Sequence, residues 1–296
     1  MNVKEERAQF FSRGVKLAGV LYRPEQSQGP APGIVLCQGY TGTKEMFLPI
    51  LAQEFAAGGF VCLIFDYRGW GESDGERARL FPNEQVDDIR NALTYLAAQD
   101  GVDAERLGLY GTSFGGANVI TTTALDPRVK CTVASLAIGS GKRWLRSLRR
   151  LWEWREFLGL LEEDRRARVT TGESRKMRAF DVVPPDPVIR EIMAAATEGG
   201  VFTSQEDGIT LESAEAILEY APEEVIGSIS PRPVLLIHAG SDNLVSPEEA
   251  QHLFARAGEP KKLMLLPGVN HIDFYLGDAL DQVVAASLEW FQLHLR

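Results

Sequence analysis

Six short apolar runs, each separated from the next by a helical pattern or a longer insertion, do most to constrain the fold. GIVLCQG (33–39), FVCLIFDYRG (60–69), RLGLYG (106–111), VKCTVASLAI (129–138), PVLLIHAG (233–240) and KKLMLLPG (261–268) read as strands. They are apolar throughout rather than alternating, as strands are when both faces are covered. Residues 46–59, 84–101, 113–125, 247–258 and 278–295 carry helical patterns, with Val86, Ile89, Leu93 and Leu96 marking one face of the second. Two more runs, 8–13 and 15–22, lie close enough to pair antiparallel. This alternation predicts an α/β fold: a mostly parallel eight-stranded sheet with helices on both faces.

Residues 142–228 interrupt the pattern with no regular strand run. They hold a Trp- and Arg-rich stretch, a proline cluster at 181–187 and the helical AEAILEY. The expected organisation is therefore a core of residues 1–141 and 229–296, with a mostly helical insertion at 142–228. Within 142–178, twelve Lys or Arg face six Asp or Glu, in a chain whose formal net charge is -10. Trp144, Leu148, Leu151, Trp152, Leu158 and Leu161 recur at near-helical spacing. That predicts an amphipathic helix with its apolar stripe on the core and Arg143, Arg146, Arg149 and Arg150 on a solvated face. The same charge is a candidate rim for steering an anionic substrate. The stripe would also suit self-association, and a monomer and a homodimer both fit the sequence.

Composition excludes several classes. A chain this acidic, with no aromatic-basic motif, is not expected to bind nucleic acid. No stretch of about 20 apolar residues predicts a membrane span. The start MNVKEERAQFF leads into no apolar signal region. Cys37, Cys62 and Cys131 each sit in an apolar run without metal-ligand spacing. They read as buried thiols, which with the missing signal predicts a reducing, cytoplasmic setting.

The chemistry is expected at Gly111-Thr112-Ser113-Phe114-Gly115, a G-x-S-x-G that follows a strand and opens a helix. That setting exposes a serine on a tight turn, as a nucleophile elbow requires. A serine hydroxyl needs a base. Of the four histidines, His238 ends a strand, His252 lies in a helix and His294 is near the C-terminus, whereas His271 follows a core strand and precedes a helix. Active-site loops occupy that end of a parallel sheet. Asp242, directly after strand 233–239, stands on the same edge and can orient the base, with Asp273 a minor rival.

With the order Ser113…Asp242…His271, the chain resembles an α/β-hydrolase over its full length apart from the insertion. Gln38-Gly39-Tyr40 corresponds to that superfamily's His-Gly turn, and Asp66-Tyr67-Arg68-Gly69-Trp70-Gly71-Glu72-Ser73 is similar to its D-x-R-G-x-G-x-S loop. The resemblance implies an oxyanion hole from the Tyr40 and Phe114 N–H groups and a structural role for the Asp66 loop. It also implies a helical cap in the insertion, with Thr41, Trp144 and Trp152 as substrate-binding candidates. Gln38 stands where members carry histidine. Tyr40 is similar to the tyrosine of cocaine-esterase and X-prolyl-peptidase-type enzymes, whose hydroxyl helps bind the oxyanion. The large C-terminal β-domain of that group has no counterpart here, which would set the chain apart from full membership. Serine at the elbow separates it from haloalkane dehalogenases and epoxide hydrolases, which carry aspartate there.

The implied activity is two-step acyl transfer from a small molecule with an ester-like bond (carboxylic ester, lactone or thioester), with no metal or organic cofactor. Amide or peptide hydrolysis and C–C bond hydrolysis use the same triad, and fold alone does not separate them. A ligand-binding protein on a hydrolase scaffold is the remote alternative.

Overall fold

Every residue of the third strand, Ala31–Cys37, is buried, and successive side chains enter opposite layers. Val35 and Cys37 join one apolar cluster and Ile34 and Leu36 the other. Two-sided burial is why this run reads as continuously apolar. The computed structural model describes residues 3–25, 29–187, 190–191 and 208–295.

The strands in chain order are β1 (Val3–Ser12), β2 (Val15–Pro24), β3 (Ala31–Cys37), β4 (Val61–Phe65), β5 (Val102–Thr112), β6 (Val129–Ser135), β7 (Lys176–Met177), β8 (Ile209–Thr210), β9 (Val234–Ala239) and β10 (Lys261–Leu266). Eight of them form one sheet in the order β1-β2-β4-β3-β5-β6-β9-β10. β2 is antiparallel to β1 and β4; the other neighbours are parallel. This is the mostly parallel eight-stranded sheet expected from the sequence. The helices include α1 (Leu48–Ala57), α2 (Pro82–Ala97), α3 (Phe114–Leu125), α4 (Gly141–Ser147), α5 (Leu151–Thr171), α6 (Ala179–Val182), α7 (Leu211–Glu219), α8 (Pro247–Arg256) and α9 (Gly277–Leu295). α2 and α3 pack into one layer, and α1 and α9 into the other. The chain leaves β3 toward β4 on one side and returns to β5 on the other. The C-terminal ends of β3 and β5 therefore flank the strand-order reversal, where open α/β sheets bind ligands.

The insertion differs from the single amphipathic helix expected. The chain breaks at 148–150, between α4 and α5, and Arg150 becomes the N-cap of α5. The break resets the helical phase. Trp154, Phe157 and Leu161 form the buried face, while Leu151, Trp152 and Leu158 are exposed. The basic face is corrected as well. Arg143 pairs with Glu223 and Glu249. Arg149 is buried, donates to the carbonyls of Leu145, Asp181 and Val182, and lies over the Phe157 ring. Arg165 and Arg168 pair with Glu215, and Arg168 also with Asp164. Much of the positive charge is thus neutralised internally. The segment also holds one short antiparallel ladder, β7 with β8, which the sequence did not suggest. Residues 188–189 and 192–207 of the predicted insertion lie outside the described residues. Among the described residues, no helix is long and apolar enough to cross a membrane. The three cysteines are free and buried.

Candidate active site

Ser113 sits between β5 and α3 with φ 54° and ψ -122°, outside the regions an L-residue favours. Close packing holds it there. A β-carbon on Gly115 would lie 2.4 Å from the carbonyl oxygens of both Cys37 and Gln38, so only glycine lets α3 press against the end of β3. The Ser113 N–H donates to the Ser135 carbonyl at 2.8 Å, which fixes the turn to β6.

The structure brings together Asp242 and His271, the residues expected as acid and base. His271 Nδ1 lies 2.7 Å from Asp242 Oδ2 in a buried contact. Asp242 Oδ1 accepts the N–H groups of Leu244 and Val245, each at 2.8 Å, closing a tight turn after β9. Burial pushes the Asp242 carboxyl up, but His271 and the Val245 N–H outweigh it and hold the group below the usual carboxylate range. Asp242 therefore stays ionised and fixes the His271 ring, whose Nε2 has no hydrogen-bond partner among the described residues. The loops are joined by bonds from Gly240 N to Leu266 O (2.8 Å) and Ser241 N to Val269 O (2.9 Å). Thr112, next to the serine, bonds Tyr275 at 2.6 Å, and the Tyr275 ring stands edge-on to His271. Among the described residues, Ser113 Oγ makes no hydrogen bond to His271. Such bonds are often long before substrate binds.

The turn after β3 lies against Ser113: a β-carbon on Gly39 would sit 3.0 Å from Ser113 Cβ. Tyr40 follows, and Phe114 opens α3, where an N–H has no intrahelical acceptor. Neither N–H has a hydrogen-bond acceptor among the described residues. Gln38, where the superfamily carries histidine, folds the turn: its Oε1 accepts the Gly39 N–H and its Nε2 donates to the Thr43 and Met46 carbonyls. Thr41 is buried at φ 53°, unusual for a β-branched residue. The Tyr40 hydroxyl donates to the Ala179 carbonyl at 3.1 Å, so its hydrogen is committed to the insertion. Burial pushes this phenol well up and keeps it neutral.

Trp144 is buried beside Tyr40 and Phe114, with ring centroids 6.1 and 6.0 Å away. Its indole N–H donates to the Leu244 carbonyl at 2.9 Å, bracing the Asp242 turn. Trp152 is 56% exposed and has no described contact with the other candidates. The Asp66 loop is an ion-pair hub: Asp66 accepts the Lys44 ammonium and the N–H groups of Lys44 and Glu72. Arg68 pairs with the buried Asp88 of α2. Glu45, Asp66 and Glu72 lie close enough together to hold a metal, but their shared centre is the Lys44 ammonium. Sequence reading missed the Trp144 and Tyr275 braces, because neither contact leaves a local pattern.

A family model described as X-Pro dipeptidyl-peptidase (S15 family) matches residues 13–273. An uncharacterized 31.7 kDa protein of the traX-finO intergenic region of Escherichia coli is 32% identical over 286 residues, covering 96% of this chain and 98% of that one. The thiohydrolase aneE of Aspergillus aculeatus is 26% identical over 296 residues, covering 94% of this chain and 90% of that one. The polyketide transferase grgF of a Penicillium species is 27% identical over 289 residues, covering 95% and 94%. A crystal structure of the alpha/beta hydrolase GrgF matches with a TM-score of 0.82 and 24% identity over 99% of both chains.

Proposed function

The chain belongs to the X-Pro dipeptidyl-peptidase (S15) family and has the α/β-hydrolase fold, and on that premise we propose that it is a serine hydrolase of ester-like bonds in a small molecule. The sequence alone argued against full membership of this family, but the family match spans residues 13–273. The observation that carries the proposal is the 2.7 Å Asp242–His271 contact on the sheet edge where Ser113 stands on its strained turn.

In the proposed mechanism His271 Nε2 takes the Ser113 proton as Oγ attacks the carbonyl carbon. The carbonyl oxygen becomes an oxyanion held by the Tyr40 and Phe114 N–H groups; two such fixed donors are worth about 3 kcal/mol each. The intermediate collapses, and His271 passes its proton to the departing alcohol or thiol. Water then attacks the acyl-Ser113 ester, with His271 again as base. Asp242 holds the imidazole tautomer and stabilises its cation throughout.

A thioester is favoured within this class because aneE, similar over most of the chain, is a thiohydrolase. Amide hydrolysis is the second reading, supported by the dipeptidyl-peptidase description of the family. The test is turnover of a short p-nitrophenyl ester, an acyl thioester and an X-Pro p-nitroanilide by the native protein and Ser113→Ala. Ester or thioester turnover that falls at least a thousandfold in the variant is the expected result. Retained turnover in Ser113→Ala, or turnover of the anilide alone, overturns the proposal.

A further inference from the structure

His238 is fully buried at the end of β9, four residues before Asp242. Its Nε2 lies 2.9 Å from the Val245 carbonyl, which can only accept, so the proton sits on Nε2. The same nitrogen is 3.8 Å from Asp242 Oδ2, the oxygen that binds His271. Its Nδ1 is buried with no partner among the described residues. A second ring proton would have no acceptor there, so the geometry keeps this imidazole neutral. The titratable groups acting on His238 are Asp242 and Glu249, which favour its cation, and His271, which opposes it. Burial outweighs them and pushes His238 below the usual imidazole range.

Val245 thus binds at both ends: its N–H to Asp242 Oδ1 and its carbonyl to His238. Two short links tie the acid's position to one imidazole N–H. We propose that His238 is a positioning residue for the triad: a second histidine whose Nε2–H clamps the 242–245 turn and aims Asp242 Oδ2 at His271. This rests on the acid role of Asp242 proposed above. It assigns an otherwise unused buried histidine to the site.

The test compares His238→Gln, whose side-chain amide N–H reaches as far as Nε2, with His238→Leu, which removes the donor at similar volume. Rates are normalised to active sites titrated with a fluorophosphonate. His238→Gln is expected to keep kcat within about threefold. His238→Leu is expected to lose about 10- to 100-fold in kcat with little change in KM. It should also move the acid limb of kcat/KM to lower pH, because a misaimed Asp242 stabilises the His271 imidazolium less. A merely structural role would lower the number of active sites and leave the acid limb in place. That result, or an equal loss in both variants, overturns the proposal. A readout independent of turnover is the downfield Nδ1–H proton resonance of His271 in its bond to Asp242. It should be present in the native protein and His238→Gln and absent in His238→Leu; persistence in His238→Leu overturns the proposal. If the native protein turns over nothing, the hydrolase reading fails while this resonance still reports on the clamp.

Discussion

Replacing Asp242 with asparagine removes one buried charge while sparing the fold around it. Asparagine Oδ1 can still accept the Leu244 and Val245 N–H groups, so the turn survives. The loss falls on the other side, where Oδ2 faces His271 Nδ1 at 2.7 Å. An amide N–H there would repel the Nδ1–H and drive the ring to the tautomer with its proton on Nε2. That nitrogen then cannot accept the Ser113 proton. The developing imidazolium also loses a counter-charge worth about 4 kcal/mol for charge centres about 4 Å apart at an effective dielectric of about 20. Together these predict a kcat loss of about 10³- to 10⁴-fold, or roughly 4–5.5 kcal/mol of barrier. The assay is steady-state hydrolysis of a p-nitrophenyl ester, with thermal melting as the fold control. The expected result is that fall in kcat, KM nearly unchanged and a melting temperature within a few degrees. A kcat within tenfold of native in a well-folded Asp242→Asn protein would refute the role of Asp242 as orienting acid.

Gly39→Ala should abolish most activity with a small effect on stability, because its methyl would lie 3.0 Å from Ser113 Cβ and 3.2 Å from the Thr112 carbonyl oxygen. Ester kinetics beside a melting curve separate the two effects. Arg143→Met leaves Glu249 buried on two N–H groups without its counter-ion. With Arg143 partly exposed, the expected cost is about 2–3 kcal/mol, read as a drop in the chemical-denaturation midpoint. Stability should fall on acidification below about pH 6.5. His238 is held neutral in the folded state but protonates in the unfolded chain, so the unfolded state binds more protons as pH falls. The slope is up to about 1.4 kcal/mol per pH unit per proton. His238→Gln should flatten that part of a melting-temperature curve against pH. Asp242, held below its usual range, adds a further loss at lower pH, as its native carboxylate is forced to protonate.

Much of the fold was legible because its signal is local and repeated. The buried runs that became β3, β5, β6 and β9 are apolar on both faces, and the helices between them carry the complementary period. The elbow was legible for the same reason: Gly111, Ser113 and Gly115 lie within five residues, and each answers a local steric demand. Asp242 and His271 could be placed because each follows a strand of one sheet. The insertion was not legible in detail. Apolar residues at 144, 148, 151 and 152 fit one continuous helix, and only tertiary contacts reveal the break at 148–150. There Arg149 leaves solvent to bond three carbonyls. Glu223 and Glu249, which neutralise Arg143, lie 80 and 106 residues away. The clamp from His238 to Val245 was equally hidden, since a buried histidine at a strand end reads as core.

The most direct test of Ser113 as an activated nucleophile is intact-mass spectrometry after fluorophosphonate treatment of the native protein and Ser113→Ala. A single adduct on the native protein that is absent from the variant is the predicted result. An adduct that persists on Ser113→Ala, or none on folded native protein, would contradict it.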